Sequence, residues 1–123
     1  MSYSKQMGDW AEEQACLHLQ KLGWHIVTRN FHCQRGELDL VAKRDNSIRF
    51  VEVKYRRSEA MGGALSSITP KKRQHLIYAA QTFLQRFPHF YASMASFDLI
   101  CVSGRPQGQV KLQWLTNIFS LND

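Results

Sequence analysis

The sequence predicts a single α/β domain with a central mixed β-sheet flanked by helices. Three observations predict it. The chain has 123 residues, room for one domain and not comfortably for two. Its composition, 44% apolar and 21% charged, can fill a core and is not that of a disordered chain. Helical periodicity and strand-like runs alternate in the order α-β-β-β-α-β-β, so strands from separate parts of the chain must share one sheet with helices packed on it.

Residues 4–22 read as the first helix. Met7, Ala11, Ala15, Leu19 and Leu22 recur at spacings of four and three, one apolar stripe, with Glu12 at its edge. Gly23 stands where a glycine ends a helix. Residues 24–29 form a short strand. Residues 37–43 and 47–55 read as two more by alternation and β-branched content, and Arg44-Asp45-Asn46-Ser47 between them is turn chemistry. The stretch 56–68 holds Gly62-Gly63 and Ser66-Ser67 and reads as a loop. Thr69-Pro70 is an N-cap followed by proline at the first helical position. The helix it opens buries Leu76, Ile77, Ala80, Phe83, Leu84 and Phe87, and Pro88 stops it. Residues 96–102 are a strand, 104–108 a turn and 109–115 the return strand. No repeat, linker or low-complexity tract divides residues 1–123.

Several classes are excluded. No run approaches the ~18 apolar residues of a membrane span, and the first ten residues lack the apolar region of a secretion signal. A cytoplasmic protein is expected. Cys16, Cys33 and Cys101 contain no C-x-x-C, and the five histidines no H-x-x-x-H, which removes zinc-ribbon and thioredoxin-like readings. The net charge of +6 favours an anionic partner, nucleic acid before membrane surface. Eight of the ten acids lie in residues 1–60, so a carboxylate-based site must come mainly from that half. The basic surplus, including Lys71, Lys72 and Arg73, lies in the other.

The central hairpin carries the chemistry. With Asp45-Asn46 as its turn, Asp39 lies opposite Glu52, Glu37 opposite Lys54 and Val41 opposite Phe50, all on one face. Directly opposed Cβ atoms are about 4.5–5.5 Å apart, so two carboxylates there repel unless a positive charge sits between them. A hard divalent cation such as Mg²⁺, with oxygen ligands, fits that gap. Such a breach of local consistency is where a functional site is expected. Lys54, on the same face, can orient an attacking water or stabilise charge on a phosphorane-like phosphate. Carboxylate, carboxylate and lysine around Mg²⁺ form a set for phosphodiester hydrolysis. A solvated ion-pair cluster on an exposed sheet face accounts for the same spacing.

Gly36-Glu37-Leu38-Asp39-Leu40 followed by Phe50-Val51-Glu52-Val53-Lys54 is a D-x(12)-E-x-K arrangement. It resembles the active-site signature of the PD-(D/E)xK nuclease superfamily. From Gly8 to about Phe119 the chain resembles the YraN family of small bacterial endonuclease-like proteins. Gly8-Asp-Trp-Ala-Glu12, Ala15, Arg29-Asn30, Arg56, Lys72 with Leu76 and Ala80, Phe97-Asp98 and Asn117-Ile118-Phe119 carry the rest of the likeness. Within the superfamily it is most similar to archaeal Holliday-junction resolvases. The resemblance implies a restriction-endonuclease-like core, Mg²⁺ (or Mn²⁺) on Asp39 and Glu52, Lys54 as the catalytic lysine, and Glu12 as the acid that the first helix adds to the metal set. Ala11 replaces the usual second glycine before Glu12, and Leu38 replaces the proline of the superfamily's name.

Other residues admit two readings each. Glu37 tunes Lys54 or is only its ion-pair partner. Arg56 and Arg57 leave the strand where phosphates would pass, or are a soluble strand end. Lys71, Lys72 and Arg73 open a helix, where bare N–H groups and positive side chains favour phosphate; otherwise they are a solvated face. Trp10, Trp24 and Trp114 stack on bases or pack the core, and packing is favoured. Asp98 is structural or a helper of the basic helix. The expected function is a metal-dependent nuclease hydrolysing DNA phosphodiester bonds, at branched or damaged DNA, and a homodimer if two strands are cut. The alternative is a catalytically silent nucleic-acid-binding module with a nuclease fold. A third reading is a protein-interaction domain whose acidic face recruits a basic partner.

Overall fold

A computed structural model describes residues 2–57 and 61–122. Helix α1 spans Tyr3–Lys21. Strands β1 (His25–Cys33), β2 (Gly36–Arg44) and β3 (Ser47–Arg56) follow. Helices α2 (Met61–Ser66) and α3 (Pro70–Arg86) lead, through a short 3₁₀ turn at Pro88–Phe90, to β4 (Met94–Gly104) and β5 (Val110–Phe119). The single α/β domain has one five-stranded mixed sheet in the order β1-β2-β3-β4-β5. Only the β3–β4 pair is parallel, because α2 and α3 carry the chain back over the sheet between them.

The sheet is buried on both faces. On one, Ala11, Ala15 and Leu19 of α1 pack on Leu40, Ala42, Val51, Ile100 and Val102. On the other, Leu76, Ala80 and Phe83 of α3 pack on Val41, Ile48, Phe50 and Phe97. The alternation of Leu40 and Ala42 against Val41 is the period-two pattern serving two cores at once. Phe83 is fully buried, with the rings of Phe31, Phe50 and Phe90 5.4, 6.0 and 5.6 Å away. Trp24 is buried, its ring 6.0 Å from Trp114, and Trp10 lies 6.2 Å from Tyr55. The tryptophans are packing residues.

Both long helices have side-chain N-caps, of which Thr69 is the expected one. Ser2 accepts the Lys5 N–H at 3.1 Å, and Thr69 accepts the Lys72 N–H at 3.1 Å with Pro70 in the first turn. Gly23, at φ +88°, follows α1. Two apolar positions need correction. Leu22 and Phe87 are helix C-caps, outside the regular turns, and are exposed.

The loop expected over 56–68 contains α2, and its residues 58–60 lie outside the described residues. Gly62-Gly63 argues locally against helix, but Ala64 docks fully buried against Leu99 and Cys101 and outweighs that propensity. β1 and β5 run four residues beyond the expected ends at 29 and 115. Each passes through an asparagine in left-handed backbone, Asn30 at φ +53° and Asn117 at φ +56°, that reads locally as a strand end. Among the described residues no helix is long and apolar enough to cross a membrane.

Candidate active site

The β2–β3 hairpin has the expected register, from Arg44 opposite Ser47 to Leu40 opposite Val51. Asp39 and Glu52 come immediately after the last of these pairs. Asp39, half-buried, accepts the backbone N–H of Val53 at 2.9 Å and shares a hydrogen bond with Glu52. The carboxylates therefore meet on one side of the sheet, and Glu52 is only 4% exposed. Two carboxylates that close in a part-dry site cannot both ionise easily. Burial first, then the charge of Glu52 and the bond shared with it, push the Asp39 carboxyl up to about 8, against a partial downward pull from the Val53 N–H.

Glu52 Oε2 carries two ammonium groups. Lys54 Nζ lies 3.6 Å away and Lys72 Nζ 3.1 Å away. Strand period two places Lys54, two residues further on the same strand. Tertiary packing places Lys72. The Thr69 cap fixes the first turn of α3, and α3 lies so close on the start of β2 that a Cβ at Gly36 would stand 2.5 Å from the His75 carbonyl oxygen. Burial lowers the affinity of Lys72 for its proton, but the charge and hydrogen bond of Glu52 outweigh it and hold the ammonium above its ordinary value. Sequence reasoning gave Lys72 to a phosphate surface; the structure brings it to the carboxylate pair. The run Lys71-Lys72-Arg73 carries no local signal of which lysine turns inward.

Glu12 approaches from α1, and its charge acts on Asp39. Its side chain hydrogen-bonds Asn30, and burial raises its carboxyl. Beside it, the Arg29–Glu13 ion pair at 3.0 Å ties α1 to β1. Among the described residues no three His, Cys, Asp or Glu side chains converge on one metal position, and Glu12 is held by its bond to Asn30. Asn30 is its unforeseen partner. The Asn identity, which tolerates φ above zero, is the available signal.

The remaining predicted residues separate. Glu37 pairs with His32 Nδ1 at 2.9 Å, and the carboxylate beside Lys54 is Glu52. Arg56 donates to the Gly63 carbonyl at 3.4 Å, and Arg57 lies over the Tyr3 ring at 5.9 Å. With Val53, Lys54 and Tyr55, and with Tyr3, Ser4, Met7 and Gly8 at the start of α1, they line an open cavity of about 500 Å³, to which neither Asp39 nor Glu52 contributes. Lys71 is exposed on the surface of α3, while the Arg73 guanidinium covers Phe119 at 5.1 Å and stays out of the site. Asp98 is structural. It is buried and accepts bonds from Ser96 Oγ, Trp114 Nε1 and the Asn117 N–H, each at 2.9 Å, and from Arg49 at 3.3 Å.

Two oxygen-donor carboxylates in contact suit a hard cation that retains part of its hydration shell. The comparisons with known proteins cover this whole site. The sequence model of the uncharacterised protein family UPF0102 matches residues 11–102. The chain is 43% identical over 116 residues to a UPF0102 protein of Pseudomonas fluorescens strain Pf-5, covering 94% of each chain. To that of Pseudomonas fluorescens strain Pf0-1 it is 46% identical over 114 residues, 93% of this chain and 92% of the relative. To that of Pseudomonas aeruginosa strain LESB58 it is 42% identical over 117 residues, 94% of each. The chain thus belongs to the uncharacterised protein family UPF0102.

Proposed function

We propose that this chain is a divalent-cation-dependent nuclease of the PD-(D/E)xK kind that hydrolyses phosphodiester bonds in DNA. The observation that carries the reading is the contact between Asp39 and Glu52 with the Lys54 ammonium 3.6 Å from the latter. Asp39 and Glu52 are the residues that would hold Mg²⁺ or Mn²⁺. When bound, the cation supplies Lewis-acid polarisation of the phosphoryl group. The Val53 N–H orients Asp39 through a 2.9 Å bond, so one carboxylate oxygen is fixed by backbone. Lys54, partly exposed beside Glu52, orients the attacking water and neutralises charge that grows on the phosphate. Arg56 and Arg57 at the end of β3 and the exposed Lys71 on α3 supply positive charge for contacts to a phosphate backbone. The YraN-like and Holliday-junction-resolvase-like resemblance favours branched or damaged DNA as substrate.

The test is cleavage of duplex, branched, flapped and single-stranded DNA, with matching RNA, under Mg²⁺ and Mn²⁺. Wild type should cut at least one DNA substrate, Asp39→Ala none, and Lys54→Ala should lose roughly 10²–10³-fold in rate. A wild type that binds these substrates and cuts none with either cation would mark a nucleic-acid-binding module.

A further inference from the structure

A buried carboxylate with two lysines on one oxygen has more positive partners than it needs. Lys54 and Lys72 both address Oε2 of Glu52, at 3.6 and 3.1 Å. They arrive differently. Lys54 is on the same strand and its place is fixed by the pleat. Lys72 reaches in from the first turn of α3, on a long stem whose side chain is 33% exposed. Glu52 in turn shares a hydrogen bond with Asp39, so the Lys72 ammonium sits on one member of the carboxylate pair.

We infer that Lys72 is an exchangeable counter-ion, seated against the carboxylate pair in the metal-free protein and displaced when a divalent cation binds there. The inference rests on the metal reading given above. Three physical reasons support exchange over coexistence. The ammonium donates its hydrogens to the same oxygen lone pairs that a cation needs. A doubly charged ion and an ammonium within a few ångströms of one oxygen repel strongly. A lysine head is a strongly hydrated point charge on a flexible stem, so it can leave for water at little cost, unlike a forked guanidinium. Once displaced, Lys72 remains tethered at the N-terminus of α3, beside the place where a phosphate would enter. Lys72 is a positioning residue that holds the Glu52 carboxylate through its 3.1 Å contact without metal, and it sets how weakly the cation binds.

The test is calorimetric titration of MnCl₂ into the full chain, with free Mn²⁺ followed by electron paramagnetic resonance. Wild type, Lys72→Met, Lys72→Gln, Lys72→Arg and Asp39→Ala are compared, and circular dichroism checks each fold. The two neutral variants guard against one failing to fold. Removal of the competing charge should tighten Mn²⁺ binding roughly tenfold in Lys72→Met or Lys72→Gln. Lys72→Arg, which keeps the charge, should bind no tighter than wild type. Binding lost in Asp39→Ala yet unchanged or weakened in the folded neutral variants overturns the inference and leaves the metal reading intact. Binding indifferent to Asp39→Ala overturns the metal reading and the inference with it.

Discussion

The Asp39 carboxylate accepts the backbone N–H of Val53 at 2.9 Å, one residue beyond Glu52, just past the last paired residues of the β2–β3 ladder. This bond turns the end of a hairpin into a site. Asp39 takes the place of a backbone carbonyl and is thereby held against Glu52.

The contact makes metal-free stability depend on pH. Folded Asp39 keeps its proton to about 8, against an ordinary value of 3.8. Between these values the folded state binds more protons than the unfolded one, so stability falls as pH rises through that window and is flat outside it. Asp39→Asn has nothing to ionise and should lose this slope. In chelator at pH 8 it should be more stable than wild type by about 1–3 kcal/mol. Thermal melts of both proteins from pH 4 to pH 9 check it; parallel curves would mean that the pair shares no proton.

Gly36 is where α3 meets β2. A Cβ there would stand 2.5 Å from the His75 carbonyl oxygen, a backbone atom that cannot yield alone. Gly36→Ala should cost about 1–3 kcal/mol in urea unfolding, the range for overpacking. Because the same docking delivers Lys72, the variant should also reset Mn²⁺ affinity toward that of Lys72→Met. A neutral effect on stability would show that α3 sits further from β2.

Asp98 should behave oppositely to Asp39. Its side chain is buried and paired with Arg49 and with Ser96, Trp114 and the Asn117 N–H. Asp98→Ala leaves the Arg49 charge without its partner and should cost about 3–5 kcal/mol. Denaturant unfolding measures this. Mn²⁺ affinity of the folded fraction should stay near wild type, because the Asp98 cluster and the carboxylate pair share no residue.

Much of this was legible in the sequence, for local reasons. The Asp45-Asn46 turn and the alternation through Val41 and Phe50 fix the hairpin register, which brings Asp39 and Glu52 together. Thr69-Pro70 marks the start of α3. What escaped depends on the third dimension. Asn30 and Asn117 look like strand ends because their left-handed backbone is made worthwhile by distant partners, Glu12 for Asn30 and Asp98 for Asn117. α2 forms across a Gly-Gly pair because Ala64 finds a buried seat. Leu22 and Phe87 continue their helices' apolar stripes in sequence but fall on the C-caps, where they stay exposed. Lys72 reads as one of three surface cations, and only the approach of α3 at Gly36 turns it toward Glu52.

The most direct measurement is a crystal structure grown with Mn²⁺ and recorded at a wavelength where manganese scatters anomalously. One anomalous peak is expected between the Asp39 and Glu52 carboxylates, within about 2–2.3 Å of an oxygen of each, near the distances of hard-cation sites. The Lys72 ammonium should have left Glu52 Oε2 in that structure. No peak at this position in Mn²⁺-saturated crystals, with Lys72 still on Glu52, would contradict the assignment of Asp39 and Glu52 as cation ligands.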